Sequence, residues 1–239
     1  QRLLGYSSVP YFQGLLGGLT ALSASTIFMF MLFGGALKAT GALDFIVKLG
    51  FSVGRRSRAG PAQVAVISSG LMGTVSGSTV ANVASTGAIT IPLMKRYGFQ
   101  PSFAGAVEAV ASTGGQIMPP VLGLAAFLIV GITGIPYRDV MVAAIVPALI
   151  YYGFLVLAVD LRSATLGLDA RSAANELGEV NLAREALGQW HLLAAVVLLI
   201  YLLTTGIPAG HSALYCVLLL LGLDLVMCVV REGVAGVWT

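Results

Sequence analysis

The chain has 239 residues, of which 57% are hydrophobic and only 10% are charged. A soluble domain carries roughly a quarter of its residues as charged side chains, whereas the mean hydropathy here is +0.93. The composition excludes a soluble protein and predicts an all-α protein integral to the lipid bilayer. The net charge of +3 comes with short basic clusters that lack interleaved aromatic residues, which argues against nucleic-acid binding.

Four apolar stretches are long enough to cross a bilayer, which needs about 20 helical residues. They are 14–37, 138–160, 190–207 and 210–230. The shorter segment 42–54 carries Asp44 and Lys48, which indicates an amphipathic interfacial helix or a short tilted one. The loop 160–189 holds more arginine than the short loops near 136 and 208, which places it in the cytoplasm.

Residues 61–94 form an uncharged stretch with basic residues on both sides. Arg55, Arg56 and Arg58 precede it, and Lys95 and Arg96 follow it. Each 15-residue arm, 61–75 and 80–94, would rise about 22 Å as a helix, less than the roughly 30 Å hydrocarbon core. If both flanks are cytoplasmic, the stretch is a re-entrant helical hairpin with its tip at "SGST", 76–79.

A second apolar stretch, 102–134, is interrupted by glycines and by two adjacent prolines, Pro119 and Pro120. Proline removes a backbone donor and clashes with the preceding helical turn. The pattern therefore predicts a discontinuous span made of half-helices 102–113 and 121–134. Unwound backbone at membrane depth is tolerated where it is buried in protein or lines a wet cavity.

Three other structures or functions could account for the glycine-rich tip. A phosphate-binding loop needs Gly-Lys-Ser/Thr, and the tip has no lysine. An intramembrane serine hydrolase would need a base, and both histidines, His191 and His211, fall on later spans. Close helix packing explains Gly70, Gly73 and Gly77, but it does not explain why hydroxyl and amide side chains share the turn.

The two broken elements together suggest a site for a cation and an anion. Hydroxyl, amide and carbonyl oxygens suit a hard cation, and broken helices in transporters direct such groups to midplane ions. In this interpretation Ser76, Ser78 and Asn82 face 113–115 and the carbonyls before the prolines. Glu108 is the acid within this core, and an intramembrane acid is a candidate for an ion or proton role. Pairing of Glu108 with Lys95 or Arg96 is the structural alternative.

The residues "GTVSGSTVANVASTGAITIPLMKRYGFQPSFAGAVEAVASTGGQIMPP" resemble the large membrane subunit of TRAP transporters. The shared features are the Gly-Ser-rich hairpin, 92–94 as Pro-Leu-Met, the Gly98-Phe99 pair and Gly-x-x-x-Pro-Pro at 115–120. Residues 180–206 are similar to the fused-permease branch associated with TAXI-type binding proteins. Only the first of two inverted halves of such a permease is recognisable, and the chain starts at Gln1, which is typical of a fragment or a processed product.

The resemblance implies a sodium-coupled, non-enzymatic secondary transporter in the bacterial inner membrane that imports an organic anion, with a carboxylate favoured. The implied partners are a periplasmic solute-binding protein, a small four-helix membrane subunit or domain, the second inverted half and the bilayer. The residues matched to the sodium site are Ser76, Gly77, Ser78, Asn82, Thr113, Gly114, Gly115, Met118 and Pro119. The residues expected at the substrate are Ser78, Thr79, Thr113 and Gln116.

The sequence predicts that the chain is organised in three segments. Residues 1–60 form an N-terminal span and interfacial segment, 61–135 the transport core, and 136–239 three further spans with the cytoplasmic loop. The alternatives to a TRAP-type permease are another sodium–carboxylate symporter with the same hairpin and a non-transporting membrane scaffold.

Overall fold

The computed structural model describes residues 18–54, 57, 59–167 and 189–232. All regular elements in these ranges are helices, which confirms the predicted all-α class. The start of the first predicted span, most of the predicted loop 160–189 and the arginines at 55, 56 and 58 lie outside the described residues.

Nine helices follow one another in the described part of the chain. They are α1 (Gly18–Leu22, continued by the π-helical turn Ser23–Ile27 and by Phe28–Ala39), α2 (Ala42–Gly54), α3 (Gly60–Ser76), α4 (Thr79–Arg96), α5 (Pro101–Gly114), α6 (Leu124–Thr133), α7 (Tyr137–Thr165), α8 (Trp190–Thr204) and α9 (Ala209–Glu232).

Membrane-spanning length is reached by three segments of the described residues, Thr20–Ala39, Tyr137–Thr165 and Ala209–Val226. They correspond to three of the four predicted spans. The fourth, 190–207, forms the 15-residue helix α8, which is apolar but shorter. Large apolar side chains such as Phe154 and Leu149 of α7 are exposed, as expected of a helix that faces lipid or further protein.

Contacts group the chain into two compact units whose boundaries differ from the three expected segments. The first unit takes in 1–40, 124–140 and 189–239, and the second takes in 41–123 and 141–188. In the first unit, α9 packs against α1 and α8. An aromatic group stabilises this unit, since the ring of Phe127 lies 4.9 Å from that of Phe30 and 5.1 Å from that of Tyr137.

The second unit is built around α3, which packs against α2, α4 and α5. Glycine allows α2 and α3 to approach each other closely, since a Cβ on Gly54 of α2 would lie 2.6 Å from the backbone nitrogen of Val64 of α3. The helix starts are encoded locally, because Pro61 and Pro101 each occupy the first turn of their helix, where proline's missing N–H costs nothing. Apolar side chains such as Val66, Met94 and Val107 form the core between α3, α4 and α5.

Candidate functional site

A two-residue turn, Gly77-Ser78, joins α3 to α4 and makes the predicted helical hairpin. Gly77 adopts φ +57°, the left-handed conformation in which helices commonly end at glycine. Ser78 caps α4, since its Oγ accepts a hydrogen bond of 3.4 Å from the backbone N–H of Ala81. The helical arms have 17 and 18 residues, or about 25 and 27 Å of rise, so they are longer than expected but still short of the roughly 30 Å core.

The predicted helix break follows α5 directly. A 3-10 turn, Gly115–Ile117, precedes the cis peptide between Pro119 and Pro120. The second half-helix begins at Leu124, not at 121 as predicted. The reason is local, because Leu122 has φ +52° and the N–H of Gly123 donates to the carbonyl of Gln116 over 2.6 Å. The irregular segment between α5 and α6 therefore closes on itself.

The tip and the first part of the break meet within the second unit, in what we call the hairpin–break junction. It consists of Gly73, Gly77 and Thr79 of the hairpin with Gly115, Gln116 and Leu122 of the break. A Cβ on Gly73 would lie 2.3 Å from the Cα of Gly115, and one on Gly77 would lie 2.2 Å from the carbonyl oxygen of Leu122. At the outer side, Gln116 Nε2 donates to Thr79 Oγ1 over 2.9 Å. The backbone of the hairpin therefore contacts the backbone of the break directly.

The residues expected at the sodium site occupy different environments around this junction. Ser76 is half-buried, and its Oγ is shielded from solvent and has no hydrogen-bond partner among the described residues. Gly114 and Gly115 are buried, while Met118 and Pro119 are half-buried.

Two of the expected residues turn away from the junction. Thr113 is exposed, and its hydroxyl donates back to the carbonyl of Ala109 over 2.8 Å. Asn82 is fully buried and points inward, where its Nδ2 donates to the carbonyl of Ser69 over 2.8 Å. Its Oδ1 lies 3.2 Å from Thr86 Oγ1. The side chain of Asn82 therefore belongs to the interior of the hairpin.

The interior contains a carboxylate whose hydrogen-bond donors are all hydroxyl groups. Glu108 of α5 is 0% exposed. Its Oε1 accepts hydrogen bonds from Ser69 (2.7 Å), Thr86 (2.5 Å) and Ser112 (3.0 Å), and its Oε2 accepts one from Thr90 (2.6 Å). We call these five residues the Glu108 cluster. The cluster joins all three helices of the core, because Ser69 lies on α3, Thr86 and Thr90 on α4, and Ser112 on α5.

The Glu108 cluster replaces the ion pair that the sequence suggested as an alternative. Lys95 and Arg96 are exposed at the end of α4. In the part of the chain that the structure describes, no basic side chain pairs with Glu108. Pairing with Lys95 or Arg96 was therefore a wrong expectation. Glu108 lies in the packed middle of α5, and Gly87 has no side chain and so leaves space for the side chain of Glu108. A salt bridge near the surface would require Glu108 to leave this position.

The cluster and the junction are connected through Asn82. Thr86 contacts both Glu108 and Asn82, and a Cβ on Gly115 would lie 3.2 Å from Asn82 Nδ2. Asn82 therefore lies between the Glu108 cluster and the first residue of the break.

Two tyrosines of α7 fix the last turn of α5. Tyr151 donates to the carbonyl of Val110 over 2.8 Å, and Tyr152 donates to that of Ala111 over 2.7 Å. The last four carbonyls of a helix lack partners within the helix. That of Ala111 is the first of these four in α5, so Tyr152 satisfies a group that the break leaves free. Both rings also lie against Gly114, where a Cβ would approach Tyr151 to 2.4 Å.

Sequence reasoning assigned no role to the four hydroxyl donors of the Glu108 cluster. A signal was present, because Asn82, Thr86 and Thr90 are four residues apart and therefore share one face of a helix. Glu108 and Ser112 have the same spacing on α5. The contribution of Ser69 carries no such signal, since it lies 39 residues from Glu108.

Comparison with known proteins bears on this arrangement. The family model described as "Tripartite ATP-independent periplasmic transporter, DctM component" matches residues 6–235, nearly the whole chain. The chain belongs to this family. It is therefore a component of a TRAP transporter large permease, a multi-pass membrane protein and not an enzyme, as the sequence motifs predicted.

Three relatives illustrate the range of similarity. The chain is 32% identical over 122 residues to the uncharacterized protein y4mL of Sinorhizobium fredii, covering 51% of the chain and 29% of that protein. It is 26% identical over 163 residues to the 2,3-diketo-L-gulonate TRAP transporter large permease protein of Escherichia coli, covering 68% and 38%. It is 25% identical over 217 residues to the C4-dicarboxylate TRAP transporter large permease protein of Rhodobacter capsulatus, covering 84% and 49%. The chain spans about half or less of the length of these relatives.

Proposed function

We propose that this TRAP permease chain supplies half of the transport site of a sodium-coupled importer of an organic anion. The observation that carries the proposal is the hairpin–break junction, where two interrupted helices of one unit meet backbone to backbone around Gly73 and Gly115. Interrupted helices at membrane depth bring charged helix ends and free carbonyls to one place. That arrangement suits an ion and a charged solute.

The donor set of the junction fits sodium. The C-terminal ends of α3 and α5 both point their carbonyls toward the turn residues that follow them, and helix C-termini carry partial negative charge. Ser76 Oγ adds a shielded hydroxyl oxygen without a partner. We propose that sodium is held by oxygens of 76–78 and 113–119, with Asn82 supporting the break from inside. Sodium would supply a positive charge that compensates the solute's negative charge.

The same junction offers donors to a carboxylate. The N-terminus of α4 carries partial positive charge and free backbone N–H groups next to Ser78 and Thr79. The amide of Gln116 and the hydroxyl of Thr79 lie side by side at the accessible edge. Two relatives are named for 2,3-diketo-L-gulonate and C4-dicarboxylates, which are carboxylate anions. A carboxylate substrate for this chain, contacting Ser78, Thr79 and Gln116, agrees with both facts.

Activity of the whole transporter requires parts beyond these 239 residues. Because the chain spans half or less of its named relatives, we propose that the second inverted half supplies the remaining site residues. A periplasmic binding protein would deliver the solute, and a small four-helix membrane subunit would complete the assembly in the bacterial inner membrane.

The hairpin is proposed to be re-entrant. Its arms are shorter than the bilayer core, and Lys95 and Arg96 end α4. A topology experiment tests this: Cys216 and Cys228 are replaced, and single cysteines are introduced at exposed positions as Val53→Cys, before α3, and Lys95→Cys, at the end of α4. A membrane-impermeant maleimide is expected to label both from the cytoplasmic side only. Labelling of the two cysteines from opposite sides would show that α3 and α4 form a net crossing.

A non-transporting scaffold is the competing function, and the close contact between Gly73 and Gly115 favours it, since small residues also serve plain helix packing. The two functions differ in one respect. A scaffold has no reason to distinguish sodium from potassium.

Sodium and potassium titrations at constant ionic strength separate the two functions, with the melting temperature in detergent as the readout. We expect sodium to raise the melting temperature more than potassium does, and Ser76→Ala or Ser78→Ala to reduce the sodium effect. Ser25→Ala is the matched control, because this exposed serine bonds its own helix at the carbonyl of Ala21. Equal shifts with both ions, unchanged by the junction variants, would reject the sodium site.

A further inference from the structure

A fully buried carboxyl group marks the interior of the second unit. Glu108 is 0% exposed, and its contacts are four hydroxyl groups with no basic side chain among the described residues. Four hydroxyl groups around two oxygens can donate to the charged form of a carboxylate, whose oxygens carry only lone pairs. They would replace the water that surrounds such a group outside the membrane, and no described basic side chain lies beside it to balance the charge.

The position of this charge is set relative to the break by a rigid element. Glu108 and Gly114 lie six positions apart on the same helix, which corresponds to about 9 Å along its axis. Thr86 and Asn82 link the carboxylate to Gly115 on the inner side of α4. Glu108 is therefore close enough to the junction for its charge to act there through space.

The hydroxyl shell argues against direct binding of a cation by Glu108. Ser69, Thr86, Ser112 and Thr90 lie between 2.5 and 3.0 Å from the carboxylate and contact both of its oxygens. A cation at that place would have to displace these hydroxyl contacts. The favourable place for a cation is where an oxygen is free, and Ser76 Oγ, next to Gly77 of the junction, has no partner among the described residues.

We infer that Glu108 is the fixed counter-charge of the coupling-ion site, a positioning residue that raises cation affinity at the hairpin–break junction without touching the ion. This inference rests on the proposed function, since it presupposes a cation at the junction. Two opposite unit charges about 10 Å apart in a protein interior attract one another enough to raise affinity roughly tenfold.

The test compares variants that separate charge from shape. Glu108→Gln keeps the size of the side chain and removes the charge, while Glu108→Asp keeps the charge and shortens the side chain. Asp139→Asn is the matched control, since it removes one negative charge at an exposed position in the first unit. For each protein, sodium affinity is measured from the shift of melting temperature with sodium concentration, and lithium is titrated in parallel.

The expected order of sodium affinity follows the charge. We expect Glu108→Gln to weaken sodium binding about tenfold, with the ratio of lithium to sodium affinity unchanged because the ligands of the ion are unchanged. Glu108→Asp and Asp139→Asn are expected to stay within about threefold of the original affinity, since both leave the interior charge in place.

Three results would overturn the inference. Unchanged sodium affinity in a folded Glu108→Gln protein would make Glu108 a structural residue only. Complete loss of the sodium response in Glu108→Gln, with an altered lithium ratio, would make it a direct ligand. If Glu108→Gln does not fold, a tenfold or larger loss in Glu108→Asp would overturn it. Absence of a sodium-specific response in the unchanged protein would instead reject the proposed function, and this inference with it.

Discussion

The Glu108 cluster and the hairpin–break junction use similar small residues in opposite ways. Both lie in the second unit, and both draw on serine, threonine and glycine of α3 and α4. In the cluster, every hydroxyl has an acceptor and the carboxylate is fully buried. At the junction, Thr79 and Gln116 are not buried and contacts run through glycine backbone, and the adjacent Ser76 Oγ has no partner in the part of the chain that the structure describes.

The difference indicates that one part of the hairpin, the Glu108 cluster, stabilises the fold, while another part, the junction, is available for binding. A satisfied polar cluster in low dielectric rigidifies the helices that share it. An unsatisfied oxygen at a helix end costs stability and is expected where a ligand later supplies the missing contact. Variants in the two regions should therefore change different quantities.

The largest effect is expected where backbones touch. Gly73→Ala places a Cβ 2.3 Å from the Cα of Gly115, and we expect the free energy of unfolding to fall by about 3 kcal/mol because the helices must separate. Denaturant titration in detergent micelles measures it. Gly105→Ala is the control: a Cβ there meets nothing within 4 Å, so this change should stabilise the helix by up to about 1 kcal/mol. Equal effects of the two substitutions would contradict the close contact.

A threonine pair compares the two regions directly. Thr90→Val removes the hydroxyl that serves Glu108 Oε2, and we expect a loss of about 2 kcal/mol of unfolding free energy, since a buried charged acceptor loses a donor. Thr113→Val removes an exposed hydroxyl that bonds its own helix, and a change within about 0.5 kcal/mol is expected. Denaturant titration of both variants gives the comparison. If Thr113→Val lowered the free energy of unfolding as much as Thr90→Val does, the buried cluster and the exposed helix end would not differ in their contribution to stability.

At the hairpin tip, a substitution is expected to raise the free energy of unfolding and not to lower it. Ser76→Ala deletes a buried hydroxyl without a partner, so the sodium-free protein should gain about 1 kcal/mol of unfolding free energy. The stabilisation by added sodium should shrink at the same time. Ser69→Ala is the matched control, because its hydroxyl serves Glu108 and its loss should destabilise the protein with and without sodium. Destabilisation by Ser76→Ala in sodium-free buffer would contradict the unsatisfied oxygen.

The smallest effect concerns the exposed edge of the junction. The hydrogen bond from Gln116 Nε2 to Thr79 Oγ1 is exposed, so Gln116→Ala and Thr79→Ala together should show a coupling of only about 0.5 kcal/mol. A double-mutant cycle by denaturant titration measures it. A coupling of several times this value would mean that the edge contributes to the fold as strongly as the cluster does.

Local features of the fold were readable from the sequence. The hairpin turn follows from Gly77 and Ser78, and the break follows from Gly115 with Pro119 and Pro120, because such residues restrict or free the backbone next to themselves. The limits of the break were less accurate. The left-handed conformation of Leu122, which delays α6 to Leu124, has no signature in residue type.

The sequence by itself determined that this chain is an all-α membrane protein of the TRAP permease family with a helical hairpin and an interrupted helix. Those properties depend on composition and on neighbouring residues. The tertiary structure decided the partners of Glu108, the inward direction of Asn82 and the isolation of Ser76 Oγ. These depend on which faces of α3, α4 and α5 meet, and residues 18 to 39 positions apart in the chain are brought together only by packing.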